Sequence, residues 1–208
     1  MRILALLILG LSLAFQGYSQ LMDGIDQLSP FHDGLASVKK GNQWGFMDSN
    51  GKMAVDFRND LVSSPAVDSW SLAGAELKKY PVFHEDRCLF SKEIDGIRYY
   101  GYIDKSGKEA IAPTYVNATN FKNGYAIVMV YTKEVVGKNQ LLGKDVVEHK
   151  VEEMVIDTSG KVVTPLFNEK NYVPEKIKSS PPPITGKFLG NNLVAVQNED
   201  QKWMIYQF

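Results

Sequence analysis

Trp44-Gly45-Phe46-Met47-Asp48-Ser49-Asn50-Gly51-Lys52 decides the fold, because the chain repeats it. A second copy is Tyr100-Gly101-Tyr102-Ile103-Asp104-Lys105-Ser106-Gly107-Lys108, and a third is Glu153-Met154-Val155-Ile156-Asp157-Thr158-Ser159-Gly160-Lys161. Lys202-Trp203-Met204-Ile205-Tyr206 opens a fourth, truncated one. Internal repetition at this spacing means that one supersecondary unit is built several times over.

Upstream of each copy lies a second recurring pattern. It reads Phe31-His32-Asp33-Gly34-Leu35-Ala36-Ser37-Val38, then begins again at Phe83, at Phe121 with Gly124, and at Phe188. Four units therefore start near residues 31, 83, 121 and 188. Leu35 to Val38 is a short apolar run, Gly41-Asn42 is a turn signal, and Trp44 to Asp48 resumes as a strand. Asp48…Gly51, Asp104…Gly107 and Asp157…Gly160 are hairpin turns in which the leading Asp accepts from the turn backbone and Gly takes positive φ. A third strand follows each. The expected fold is all-β: three-stranded antiparallel meanders stacked as an open solenoid-like array, with small propeller-like closure as the alternative and residues 21–28 then supplying a strand to the fourth unit. Such a meander is too small to bury its own face, so units stack. Gly45 and Gly101 signal close approach of a backbone or ring. Phe31, Phe83, Phe121 and Phe188 are placed to seal one unit against the next.

The units are spaced unevenly by inserts. Residues 58–82 separate the first from the second, and Trp70 to Lys79 reads as a short helix weakened by Gly74. The insert at 131–150 lengthens the first hairpin of the third unit into a two-stranded ribbon, so repeat units 1–3 occupy 20–173. Residues 174–187, with Pro181-Pro182-Pro183, read as a stiff extended linker without helix, and the truncated repeat at 188–208 as loosely attached to it.

Phe-x-x-Gly-Leu-Ala-x-Val, a turn, Trp/Tyr-Gly-Phe/Tyr-Ile/Met-Asp and x-x-Gly-Lys together resemble the WG-repeat (WG containing repeat) proteins of bacteria. The resemblance covers roughly residues 30–57, 83–116, 121–167 and 188–206. It departs at Met154 and Met204, which replace the signature glycine, and at the loss of Trp outside Trp44 and Trp203. It implies an all-β repeat protein with no general enzymatic activity.

Residues 1–19 read as a signal peptide, with Arg2, an apolar run from Ile3 to Phe15, and Gly17-Tyr18-Ser19 before the cut. The protein is expected to be exported, periplasmic or extracellular, without stable membrane insertion after cleavage. Its 23 Lys+Arg against 24 Asp+Glu leave a net charge of −1, which gives no footprint for nucleic acid. Cys88 is the one cysteine, so it forms no internal disulfide and is expected to be buried.

Motifs for chemistry are sparse. His32, His84 and His149 are far apart, and no metal or cofactor is expected. His149 lies on the ribbon, where alternation puts Glu148, Lys150 and Glu152 on one face and His149, Val151 and Glu153 on the other, a charged edge-protecting surface. The repeated Asp48, Asp104 and Asp157 supply carboxylates for glycoside hydrolysis, but their place at turn starts favours capping. The aromatic side chains least demanded by the repeat are Trp70, Tyr80, Tyr99 and Tyr172, which with His149 form the candidate binding surface, packing being the plainer role of each. The functional expectation is a non-catalytic scaffold binding protein or glycan in the cell envelope or outside the cell. The alternative is a carboxylate-dependent hydrolase acting on an envelope polymer.

Overall fold

A computed structural model describes residues 20–65, 79–198 and 200–208. The signal-peptide assignment, Trp70 and the helix read over residues 70–79 lie outside the described residues, except that Lys79 is in a strand.

Among the described residues the architecture is all-β apart from one six-residue helix, and it is divided among several small antiparallel sheets, none closed on itself. The first contains β1 (Gln27–His32), β2 (Leu35–Lys40), β3 (Gln43–Asp48) and β4 (Met53–Arg58), in chain order. β5 (Ser64–Pro65) and β6 (Lys79–Tyr80) pair with each other. β7 (Cys88–Ile94), β8 (Ile97–Ile103) and β9 (Glu109–Tyr115) make the second unit. The third has β10 (Asn117–Ala118), β11 (Tyr125–Asn139), β12 (Lys144–Asp157) and β13 (Val162–Pro165), with β14 (Lys170–Asn171) pairing β12 beside β13. The helix α1 (Pro174–Ser179) leads to β15 (Lys187–Phe188), β16 (Leu193–Gln197) and β17 (Trp203–Gln207).

The three-strand meander is present in the first three units, with additions. A leading strand carrying Phe31 joins the first sheet through a two-residue turn, His32 pairing Leu35 with Asp33 and Gly34 both at positive φ. That conformation matches the twist of a hairpin. Asn123-Gly124 repeats it, and Glu85-Asp86 does so without glycine. Residues 27–32 are thus spent in the first sheet, and residues 21–28 give the fourth unit no strand.

The strand glycine answers to its own unit. Between Trp44↔Arg58 and Phe46↔Val55 the single residue Gly45 faces Asp56 and Phe57, a bulge that brings the backbone over it. A Cβ there would meet the Val55 oxygen at 2.9 Å. The second unit has a wider bulge at the same place, Gly101 facing Ala112, Pro113 and Thr114. In the third, Met154↔Pro165 and Val155↔Thr164 are consecutive, so β13 has no bulge opposite Met154 and a side chain fits.

Alternation along the second meander strand gives every unit a back and a forward face. Ile103 packs backward with Phe46 and Phe83, while Tyr102 packs forward with Phe121 and Ile156. Val155 then packs forward with Phe188, Met204 and Tyr206. The Phe83 ring lies 4.6 Å from that of Phe46, and the Phe121 ring 4.7 Å from that of Tyr102. Among the described residues Phe31 has no such ring partner, and it is half exposed. The Arg58 guanidinium spans two units, gripping Asp60 and donating to the Gly107 carbonyl at 2.8 Å.

Two expectations for the C-terminal third are corrected. Residues 174–187 are not uniformly extended: Pro174 begins α1, where its fixed φ suits a helix and its missing N–H costs nothing. Nor is the fourth unit loose. Ile177 is buried among Ile97, Val116, Met129 and Val151, and the fourth unit shares a core with Ile127, Val155 and Leu166.

Candidate functional site

The repeat residues with polar side chains are occupied in turns. Asp48 Oδ1 accepts from the backbone N–H of Asn50 at 2.9 Å and of Lys52 at 3.0 Å. Asp104 and Asp157 do the same, with the hydroxyls of Ser106 and Ser159 added at 2.6 Å. These bonds hold all three carboxyls below their ordinary value, those from Lys52 N–H, Ser106 and Ser159 respectively counting most. Low carboxyls committed to turns do not act as general acids. His32 and His84 stand 6.3 Å apart, ring to ring, in neighbouring turns. Burial pushes the Cys88 thiol far up, away from the thiolate a nucleophile needs. Among the described residues, no group of three His, Cys, Asp or Glu side chains is placed to hold a metal ion.

The aromatic candidates separate. Tyr80 is 6 % exposed, in the core with Leu61, Val82 and Phe83, so its ring offers no surface. The short β5–β6 pairing folds it inward. Tyr99 and Tyr172 converge on one face instead, half-buried against Ile97, Val116, Met129, Val151 and Ile177. His149 joins them through Tyr172, whose N–H donates to the His149 carbonyl at 2.8 Å.

A fourth member, Tyr131, was not singled out from the sequence. Its partner across the ribbon is Val151, which makes His149 its diagonal neighbour on the same face. The rings are parallel within 5° at 5.9 Å, and the hydroxyl lies 2.6 Å from His149 Nδ1. Burial pushes the Tyr131 phenol up, with Tyr99 and Glu175 adding to it. Which of the two groups donates follows from the tautomer of the imidazole. Ribbon alternation, read together with the hairpin register, was the signal that could have found Tyr131.

Beside this cluster a cleft of about 310 Å3 is lined by His149, Asn171, Tyr172 and Pro174, with Glu148 at its edge. Tyr172 also lines a smaller hollow of about 130 Å3 that runs under Pro182 and Pro183. Lys150 points from the other ribbon face toward Glu169 at 3.0 Å and Glu148 at 3.5 Å, and the bond to Glu169 raises its pKa.

Glu153 is a correction. Placed by alternation on a charged surface, it is 1 % exposed. It occupies the position that Trp44 holds in the first unit and Tyr100 in the second. Its Oε1 accepts from the N–H and hydroxyl of Thr185 at 2.8 and 2.7 Å, and its Oε2 from the Gly186 N–H at 2.8 Å. With every carboxylate bond spent on the chain itself, it is a clasp, not a reactive acid.

The WG containing repeat model matches residues 25–44 and 100–131. In these two stretches the chain carries the WG repeat. No curated protein and no solved structure matches the chain. The second matched stretch stops at Tyr131, so His149, Asn171 and Tyr172 lie outside the matched WG-repeat segments. The aromatic face is assembled where ribbon, β14 and α1 depart from the repeat.

Proposed function

We propose that this protein is an exported, non-catalytic scaffold whose WG repeats stack as an open solenoid-like array. It binds protein or glycan in the cell envelope or outside the cell, at the base of the ribbon. One observation carries this reading: Tyr99, Tyr131, His149 and Tyr172, distant in sequence, share one face beside an open cleft. Aromatic rings with a polar tip hold an apolar ligand face and a hydrogen bond together, and here Asn171 and the His149 ring edge supply the polar contacts.

The stacking is supported by contacts that recur from unit to unit. The Asp86 N–H donates to Asp33 Oδ2 at 3.1 Å, the Gly124 N–H to Glu85 Oε2 at 2.5 Å, and Asn123 to Asn191 at 3.0 Å. Export rests on the basic, apolar and small-residue succession of residues 1–19. N-terminal sequencing of protein recovered from the envelope fraction is expected to begin at Gln20.

The binding test compares the wild-type protein with a His149→Ala/Tyr172→Ala variant. Each is used to capture proteins from an envelope extract and to bind soluble fragments of envelope polysaccharide. Capture by the variant is expected to fall at least tenfold with its circular dichroism unchanged. Equal capture by both proteins would remove this face as the site.

A further inference from the structure

We infer that the two ends of the array recognise each other, so that a second copy of this chain docks head to tail. The internal joints define what such a contact looks like. At each, a leading phenylalanine plugs the forward face of the unit before it: Phe83 on Phe46, Phe121 on Tyr102, and Phe188 in the core with Val155. The turn glycine of the incoming unit rests on a third-strand side chain as well, Gly107 on Val55 and Gly160 on Ile111, each 3.1 Å from the position of a glycine Cβ.

At the ends the leading phenylalanine and the forward face are exposed among the described residues, while Gly51, the turn glycine of the head, rests on Leu21 of its own chain. At the head, Phe31 is 50 % exposed where Phe83 and Phe121 are 1 % and 2 %. Leu28 and Leu21 stand beside it, around an apolar hollow of about 470 Å3 reaching Met47. At the tail, Ile205 is 62 % exposed where Phe46, Tyr102 and Val155 are at most 1 %. Trp203 shares the Ile205 face, and Ala195 and Gln197 pair with these two across the ladder. The opposite face, with Met204 and Tyr206, is already used against the third unit. Plug and socket thus sit on different surfaces of one molecule. Each matches a contact the chain makes internally, so the docking continues an interface that already exists. Such an interface is heterologous and adds copies in one direction.

Sedimentation velocity of the purified protein tests this across a concentration series. The weight-average mass is expected to rise with concentration. Phe31→Glu blocks the head and Ile205→Glu the tail. Each variant alone is expected to stay monomeric, since both side chains are at the surface and leave the core intact. Leu28→Lys and Trp203→Lys are second variants of the two ends, used if circular dichroism detects misfolding in the first pair. Mixing a head-blocked with a tail-blocked variant leaves one competent end on each, so the mixture is expected to double in mass and stop at two chains. A monomeric wild type at every concentration, self-association of either folded variant alone, or no pairing in the mixture would each overturn the inference.

Discussion

A Cβ on Gly101 would lie 2.5 Å from the carbonyl oxygen of Ile111, closer than real side chains approach. Pro113 N and Ala112 C, at 2.8 and 2.9 Å, close the space from the same strand. All three contacts are backbone, so no rotamer change relieves them. Gly101→Ala is expected to destabilise the protein by about 1–3 kcal/mol through overpacking. Gly137→Ala, where nothing lies within 4 Å, is expected to change stability by less than about 0.5 kcal/mol. Urea unfolding of the two variants side by side separates close approach from the general effect of losing a glycine.

The Asp turns carry a pH dependence whose sign follows from their hydrogen bonds. The Asp48, Asp104 and Asp157 carboxyls sit below the ordinary 3.8 in the folded chain, and unfolding returns them to it. The unfolded state therefore binds protons more readily, and their contribution is present above that value and lost as pH falls through the folded one. Denaturation midpoints are expected to hold steady from pH 7 to about 4.5 and to drop below about 4. Replacing all three with Asn keeps an acceptor but removes the titration, and is expected to flatten that drop. An equally steep decline in the triple variant would place the acid sensitivity elsewhere.

What the sequence made legible was local chemistry. Asp48-Ser49-Asn50-Gly51 closes its turn with atoms at most four residues apart, so its conformation is written in its own residues. Asp33-Gly34 is legible as a two-residue turn dipeptide, though the leading strand it closes was not among the three expected per unit. Longer-range partners were not legible. Glu153 reads as one more charge on a ribbon of Glu148, Lys150 and Glu152, and nothing near it announces Thr185 and Gly186 thirty-odd residues on. Tyr80 and Tyr99 look alike in sequence. Only the packing sends one to the core and the other to the face shared with Tyr131 and His149.

Removing the Glu153 carboxylate tests its role as a clasp. Glu153→Ala leaves two part-buried backbone N–H groups and a hydroxyl without their acceptor, at a cost of at most about 1–3 kcal/mol for each group left unsatisfied. The loss is expected to be local. Amide exchange should accelerate across residues 184–208, while the first unit, held by its own cluster around Phe46 and Phe83, should keep its protection. Glu153→Gln retains one acceptor oxygen and is expected to fall between. Uniform acceleration in both units would mean that the clasp supports the whole array rather than the fourth repeat.

The fourth repeat offers the reverse experiment. The turn before Trp203, between β16 and β17, copies the hydrogen bonds of the Asp turns that follow the aromatic strand in the other units, Asn198 Oδ1 accepting from the Lys202 N–H at 2.9 Å. Within that turn pattern Gln201 stands where the Asp turns have Gly51, Gly107 and Gly160, with φ at 63° where those glycines have 78°, 80° and 86°. A side chain in this left-handed region costs about 1–2 kcal/mol. Glycine would relieve that while giving the unfolded chain more freedom, worth about 0.5–1 kcal/mol in the opposite direction. Gln201→Gly is therefore expected to stabilise the β16–β17 hairpin by no more than about 1 kcal/mol, since the two effects oppose each other. The gain should appear as slower amide exchange at Val194, Val196 and Met204, whose side chains all pack on the third unit. Faster exchange at those sites would mean that the Gln201 side chain holds the turn by contacts outweighing its backbone strain.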